Sequence, residues 1–235
     1  MKTMLQFDFL ILKKSLIKNV VLWALYATGV CLVAGGVPLI ILLVGFPMSH
    51  MVLMPMLMRD QNRTWFAFRQ ALPFSRADVV AGRYASVALV ALGCMATGML
   101  SYVLACTLGP LIPGLPLLGH FSFDFNTPVA VAMVGATLTL TLIMYALVLP
   151  FMLAGTYRKA ATYIPFAFML AIFAGIFSLS TVDYTALLPI ISIISSAAQS
   201  TGGACAVAGC FVAASCAFYL ASERVAARAY QTRDL

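Results

Sequence analysis

The side chains able to do chemistry are few, and the most informative of them lie together between residues 59 and 83. The stretch reads Arg59-Asp60-Gln61-Asn62-Arg63-Thr64-Trp65-Phe66-Ala67-Phe68-Arg69-Gln70-Ala71-Leu72-Pro73-Phe74-Ser75-Arg76-Ala77-Asp78-Val79-Val80-Ala81-Gly82-Arg83. Trp65, Phe66, Phe68 and Leu72 stand among arginines, as in a short helix with an aromatic tip. Pro73 ends it, because proline pushes the residue before it out of helical geometry. Ser75 then has the position of an N-cap, with Asp78 three residues on, where an acid faces the positive end of a new helix. Helix, sharp corner, helix makes a rigid elbow. Its chemistry is that of a docking surface. An interfacial anchor seated in lipid headgroups also accounts for the aromatics and arginines, but less well for a corner with its own cap.

Bond-breaking chemistry is poorly supplied. His50 and His120 are isolated, and the six cysteines (Cys31, Cys94, Cys106, Cys205, Cys210 and Cys216) form no CxxC or Cys/His cluster, so neither a metal site nor a disulfide framework is implied. Thr137, Thr139, Thr141 and Tyr145 are the one polar cluster in an apolar run, and residues two apart fall on different faces of a helix. There is no GxSG, no HExxH and no GxxxxGK[ST] phosphate loop. The chain is expected to have no catalytic residues, no metal and no ATP site of its own.

The elements that must position the elbow are membrane helices. Hydrophobic residues make up 63% of the 235-residue chain and charged ones 9%, with a mean hydropathy of +1.03. Soluble domains carry about 25% charged residues, so a water-soluble enzyme is excluded. Residues 19–58 contain no charge. As one helix they would be roughly 60 Å long, about twice a bilayer core. The Gly35-Gly36-Val37-Pro38 break predicts a hairpin of two spans, 19–35 and 38–58, the second kinked at Gly45 and Pro47. Four more apolar runs predict spans at 84–108, 128–153, 160–179 and 202–222. The expected fold is all-α and integral to the membrane, a single transmembrane domain over residues 1–235 with six helices. Residues 187–199 are too short to cross and read as re-entrant or interfacial. Residues 1–18 have no signal-peptide core but place Leu5, Phe9, Leu12 and Leu16 at helical spacing beside Lys13, Lys14 and Lys18, which predicts an amphipathic interfacial helix. In the sixth run Gly209, Ala213, Ala217 and Ala221 recur every four residues, a flat stripe that lets helices approach closely.

Charge placement sets the orientation. All 14 Lys and Arg fall in four sets: residues 2–18, the 59–83 segment, Arg158-Lys159, and Arg224 onward. The intervening loops 109–127 and 180–201 carry only Asp124 and Asp183. The positive-inside rule places both termini in the cytoplasm. The net charge of +7 is therefore a signal of topology in the cell membrane, and a nucleic-acid partner is not expected.

Asp60-x-Asn62-x-x-Trp65, then Leu72-Pro73-Phe74-Ser75-Arg76, Asp78-Val79-Val80 and Gly82-Arg83-Tyr84 resemble the first cytoplasmic loop of small bacterial ABC-2 type transporter permeases. Phe74 stands where valine is usual and Arg83 where lysine is usual. The tail Tyr219-Leu220-Ala221-Ser222, with Arg224, Tyr230 and Arg233-Asp234-Leu235, is similar to that family's ending. The resemblance implies a six-span permease paired with a second permease, identical or related, and driven by two cytoplasmic ABC ATPase subunits that bind the ATP and Mg. It also implies that the first loop is the coupling helix. Asp60, Trp65, Leu72, Pro73, Phe74, Ser75 and Arg76 are then the docking and corner residues, with Arg158-Lys159 a minor contact.

The function expected is export of an amphipathic or hydrophobic substrate, such as a peptide, a lipid or a drug-like molecule. One alternative is a membrane enzyme or immunity-type protein acting without ATP, for which Thr137, Thr141 and Tyr145 would have to form the site. Another is a channel or secondary carrier, against which stands the lack of charge deep in the spans.

Overall fold

The computed structural model describes residues 2–60, 75–112, 123–154, 160–178, 196 and 199–231. The expected docking residues Trp65, Leu72, Pro73 and Phe74 lie outside the described residues, as do His120, Arg158-Lys159 and nearly all of 187–199. Six long helices follow in order: α1 Lys2–Ala34, α2 Ile40–Asp60, α3 Arg76–Leu108, α4 Thr127–Ala154, α5 Ala160–Ser178 and α6 Thr201–Gln231. A 3₁₀ turn, Gly109–Leu111, extends α3. No strand occurs among the described residues.

Among the described residues, five segments are long and apolar enough to cross a membrane: Leu16–Ala34, Ile40–Arg59, Arg76–Leu111, Thr127–Leu153 and Thr201–Gln231. The helix α5 adds 19 residues without a charged side chain.

The chain turns between α1 and α2 at Gly35, whose φ of 86° is left-handed and open to glycine at little cost. Val37 donates its N–H back to the Gly35 carbonyl at 2.7 Å, and the amides of Ile40 and Ile41 bond to the carbonyls of Val37 and Pro38 to begin α2. Pro47 and Pro55 both lie inside α2, which continues past each. At the far end of α3, the Tyr102 hydroxyl accepts the Asn126 amide at 3.1 Å, while Asn126 Oδ1 caps α4 by accepting the Val129 amide at 3.1 Å.

One expectation needs correction. The interfacial helix over residues 1–18 is not separate from the first span, because Lys2–Ala34 is a single helix. No glycine or proline occurs from residue 2 to 28, so nothing breaks the hydrogen-bond ladder. The amphipathic face is also claimed by the protein itself: Asp8 and Leu12 are fully buried, and α1 packs along α3 and α2.

Helix α4 makes its most extensive contact with α6 and also touches α2, α3 and α5. The core runs through α2, α3 and α4, with Val44, Met48, Leu53, Val87, Met144, Tyr145 and Leu149 all buried. Helices α1, α3 and α6 have 33, 33 and 31 residues. At 1.5 Å per residue each is about 46–50 Å long, well beyond a hydrocarbon core of about 30 Å. The surplus lies where the charges are: Asp8, Lys13 and Lys14 near the start of α1, Arg76, Asp78 and Arg83 at the start of α3, and Glu223, Arg224 and Arg228 near the end of α6. These three helices form a charged end to the bundle.

Candidate coupling site at the charged end

Helix α3 begins with the cap that the sequence pattern predicts, while the helix and Pro73 expected before it lie outside the described residues. Ser75 is extended, with φ −68° and ψ 150°, and caps the helix. Its Oγ accepts the Asp78 amide at 3.0 Å and donates its proton to Asp78 Oδ2 at 2.7 Å. The exchange satisfies one of the orphan amides of the first turn and places a carboxylate at the positive helix end. Asp60, the other described corner residue before the loop, is the last residue of α2.

Arg76 reaches across to the last turn of α6. Its Nη1 donates to the Gln231 carbonyl at 2.6 Å. A cation against the final carbonyls of a helix answers both their missing hydrogen-bond donors and the negative end of the dipole. The corner of α3 and the terminus of α6 are thereby joined.

Two turns further on, α3 is tied to α1. Arg83 Nη1 donates to Asp8 Oδ1 at 2.5 Å, with both side chains essentially without exposure. Ser86 Oγ lies 3.0 Å from Asp8 Oδ2 and 2.9 Å from the Gly82 carbonyl. Taking two charges out of water costs several kcal/mol per ion, on the order of what close pairing and added hydrogen bonds return.

Tyr84, beside Arg83, faces α6 and α4. Its carbonyl accepts the Tyr219 hydroxyl at 2.9 Å. Ser222 Oγ has one proton, which it donates to the Ala146 carbonyl of α4 at 2.5 Å, so Tyr84 must donate its own proton to Ser222 across 2.8 Å. The Tyr84 and Tyr219 rings pack at 4.8 Å between centroids and 53° between planes, a tilted arrangement that suits their quadrupoles. Helix α3 thus carries two polar clusters behind its capped start, one with α1 through Arg83 and Ser86 and one with α4 and α6 through Tyr84.

Of the sequence candidates, Ser75 caps α3 and Arg76 bonds to the end of α6, one to two turns before these clusters. Asp8, Tyr219 and Ser222 were not marked as site residues by sequence pattern. The one available signal was Asp8 itself, the sole acid before Asp60, set in the apolar run from Leu5 to Leu12.

The remaining sequence candidates are placed elsewhere. Thr137 and Thr141 are buried on one face of α4, but their hydroxyls donate to the carbonyls of Met133 and Thr137, each at 2.7 Å. Such bonds hold both hydroxyls against the preceding turn, while the buried hydroxyls of Thr139 and Tyr145 have no hydrogen-bond partner among the described residues. His50 is half-buried in α2 and its Nδ1 has no hydrogen-bond partner among the described residues. The six cysteines are free, and no group of three His, Cys, Asp or Glu side chains among the described residues could hold a metal ion.

The profile of the ABC-2 family transporter proteins matches residues 3–231, nearly the whole chain. The chain belongs to the ABC-2 transporter family. It is a multi-pass membrane permease of that family, and five membrane-length helices among the described residues accord with this. No curated protein and no solved structure matches it. ABC-2 permeases work with ABC ATPase subunits in general, which accords with a sequence that has no phosphate loop.

Proposed function

We propose that this ABC-2 permease is the membrane-spanning subunit of an ATP-driven exporter in the cell membrane, with six spans and both termini in the cytoplasm. Helix α5 is the span that completes the six, and the distribution of all 14 basic residues supports the orientation. Separate ATPase subunits carrying ATP and Mg dock on the 59–83 segment, where Asp60, Trp65, Leu72, Pro73, Phe74, Ser75 and Arg76 form the contact. A second permease, identical or related, completes the transport unit. The cargo is amphipathic or hydrophobic, and the short loops 109–127 and 180–201 leave no room for a folded outer receptor, which favours export over capture.

One observation carries this reading: the capped corner at Ser75 is tied by Arg76 to the end of α6, and through Arg83 and Tyr84 to α1 and α4. A push on the corner therefore moves four helices together, as a separate motor requires.

Co-purification tests it. The permease is expressed with the ABC ATPase encoded beside it and isolated through a tag on the permease. The ATPase is expected to be retained by the intact chain and lost on combined Trp65→Ala and Leu72→Ala substitution. No retention by the intact chain, or undiminished retention by the variant, would sink the proposal.

A further inference from the structure

An apolar cleft of about 390 Å³ lies between α3, α4 and α6, on the outward side of the Tyr84–Tyr219 pair. Leu92, Leu138, Leu142 and Val212 form its walls, and Glu223 is the one charged residue among those that line it. Leu92 and Leu220 are exposed, so the cleft opens sideways, toward lipid in a membrane.

Three features describe what it would hold. Glu223 is half-buried and makes no hydrogen bond or ion pair with any described residue, and no Lys or Arg lines the cleft. A carboxylate so placed attracts a cation, and no described residue supplies one. Tyr84 and Tyr219 spend their hydroxyls within the protein. They close the cleft as apolar ring edge, with little of either ring exposed. The third feature is depth. Glu223 lies 22 residues along α6 from Thr201, or about 33 Å at 1.5 Å per residue, which is the thickness of the hydrocarbon core. The charge therefore stands at headgroup level while the leucine walls lie within the core.

We propose that this cleft binds an amphiphilic monocation, with its ammonium against Glu223 and its apolar body between α3, α4 and α6. A phospholipid is a poor match, because nothing in the lining would take its phosphate. The site narrows the cargo class of the exporter and rests on that reading for its role in transport. Binding is measured on the permease without any ATPase, so failure here and failure of ATPase docking are separate results.

The probe is a decyltrimethylammonium carrying a diazirine in its chain. It is photolysed with the full-length permease in phosphatidylcholine nanodiscs, and its adducts are mapped by mass spectrometry. Adducts are expected on the α4 and α6 walls near Leu142 and Val212, competed by unlabelled decyltrimethylammonium. Glu223→Gln is expected to cut labelling about tenfold, since a partly desolvated contact between opposite charges is worth roughly one such factor. Glu223→Asp is expected to retain most of it, which separates loss of charge from loss of fold. Undiminished labelling of Glu223→Gln, equal labelling by matched decyl sulfate or decanol probes, or equal labelling by a phosphatidylcholine probe would overturn the proposal. So would adducts confined to other surfaces, as when a second copy covers the cleft.

Discussion

Asp8 and Arg83 meet at 2.5 Å with 0% and 1% of their side chains exposed. The pair fixes the first turns of α1 against α3, seven residues beyond the corner at Arg76. It explains why the amphipathic start of the chain stands in the bundle. An acid that would be solvated on a free interfacial helix instead neutralises a buried arginine, and Leu12 is carried into the core with it.

Breaking that pair is expected to be costly. Asp8→Ala leaves a buried guanidinium without its carboxylate, and loss of one partner of a buried pair costs about 3–5 kcal/mol. The double replacement Asp8→Leu with Arg83→Met removes both charges and is expected to recover much of the loss. Thermal unfolding of the purified permease in detergent checks this. Equal destabilisation by the single and double replacements would mean that shape, not charge, holds α1 to α3.

The cap at Ser75 is open to a smaller, more local test. Ser75→Ala removes the acceptor for the Asp78 amide and is expected to cost about 1 kcal/mol, with Ser75→Thr close to neutral. Faster hydrogen exchange of the first amides of α3, with the helix interior unchanged, is the signature. If the corner transmits force from an ATPase, the alanine variant should also lose transport out of proportion to its stability.

The shared bonds of Tyr84 predict coupling between neighbours. Tyr219→Phe removes the donor to the Tyr84 carbonyl, and Ser222→Ala removes the acceptor for the Tyr84 hydroxyl. Each is expected to cost on the order of 1 kcal/mol. Because both changes act on Tyr84, their combined cost should differ from the sum by about 0.5 kcal/mol or more. Strict additivity in unfolding measurements would show that the hydroxyls act as separate bonds and not as one network.

Sequence pattern went far toward the fold because a bilayer permits few solutions. Runs of apolar residues about 20 long must be helices, and Gly35 and Ser75 mark ends by backbone rules that operate within a few residues. The segment from residue 2 to 18 is less legible. Its amphipathic spacing fits a lipid surface and a protein surface alike, and only the distant Arg83 decides between them. The same holds for the polar network. Tyr84, Ala146 and Ser222 are brought together by the packing of three helices, and the acceptor on α4 is a backbone carbonyl that no residue type announces. Thr137 and Thr141 stand out in an apolar run by residue type alone, and the structure shows both hydroxyls bonded to the preceding helical turn.

Two glycines on facing helices separate packing within the subunit from packing between subunits. A Cβ on Gly135 of α4 would meet the Ala208 Cβ at 2.5 Å and its Cα at 3.1 Å, so the backbones of α4 and α6 would have to part. Gly135→Ala is therefore expected to destabilise the permease by about 1–3 kcal/mol, the usual cost of overpacking. Gly209, on the exposed side of α6 with Ala213, Ala217 and Ala221, has nothing within 4 Å of an added Cβ. In the isolated subunit Gly209→Ala should be neutral, or stabilising by up to about 1 kcal/mol through helix propensity. Gly209→Leu distinguishes what the stripe faces. If a second permease packs there, the leucine will weaken the dimer, read as a rise in the monomer fraction by light scattering in detergent, while the unfolding temperature of the monomer stays unchanged. An unaltered monomer fraction would assign the stripe to lipid and move the subunit contact to another face.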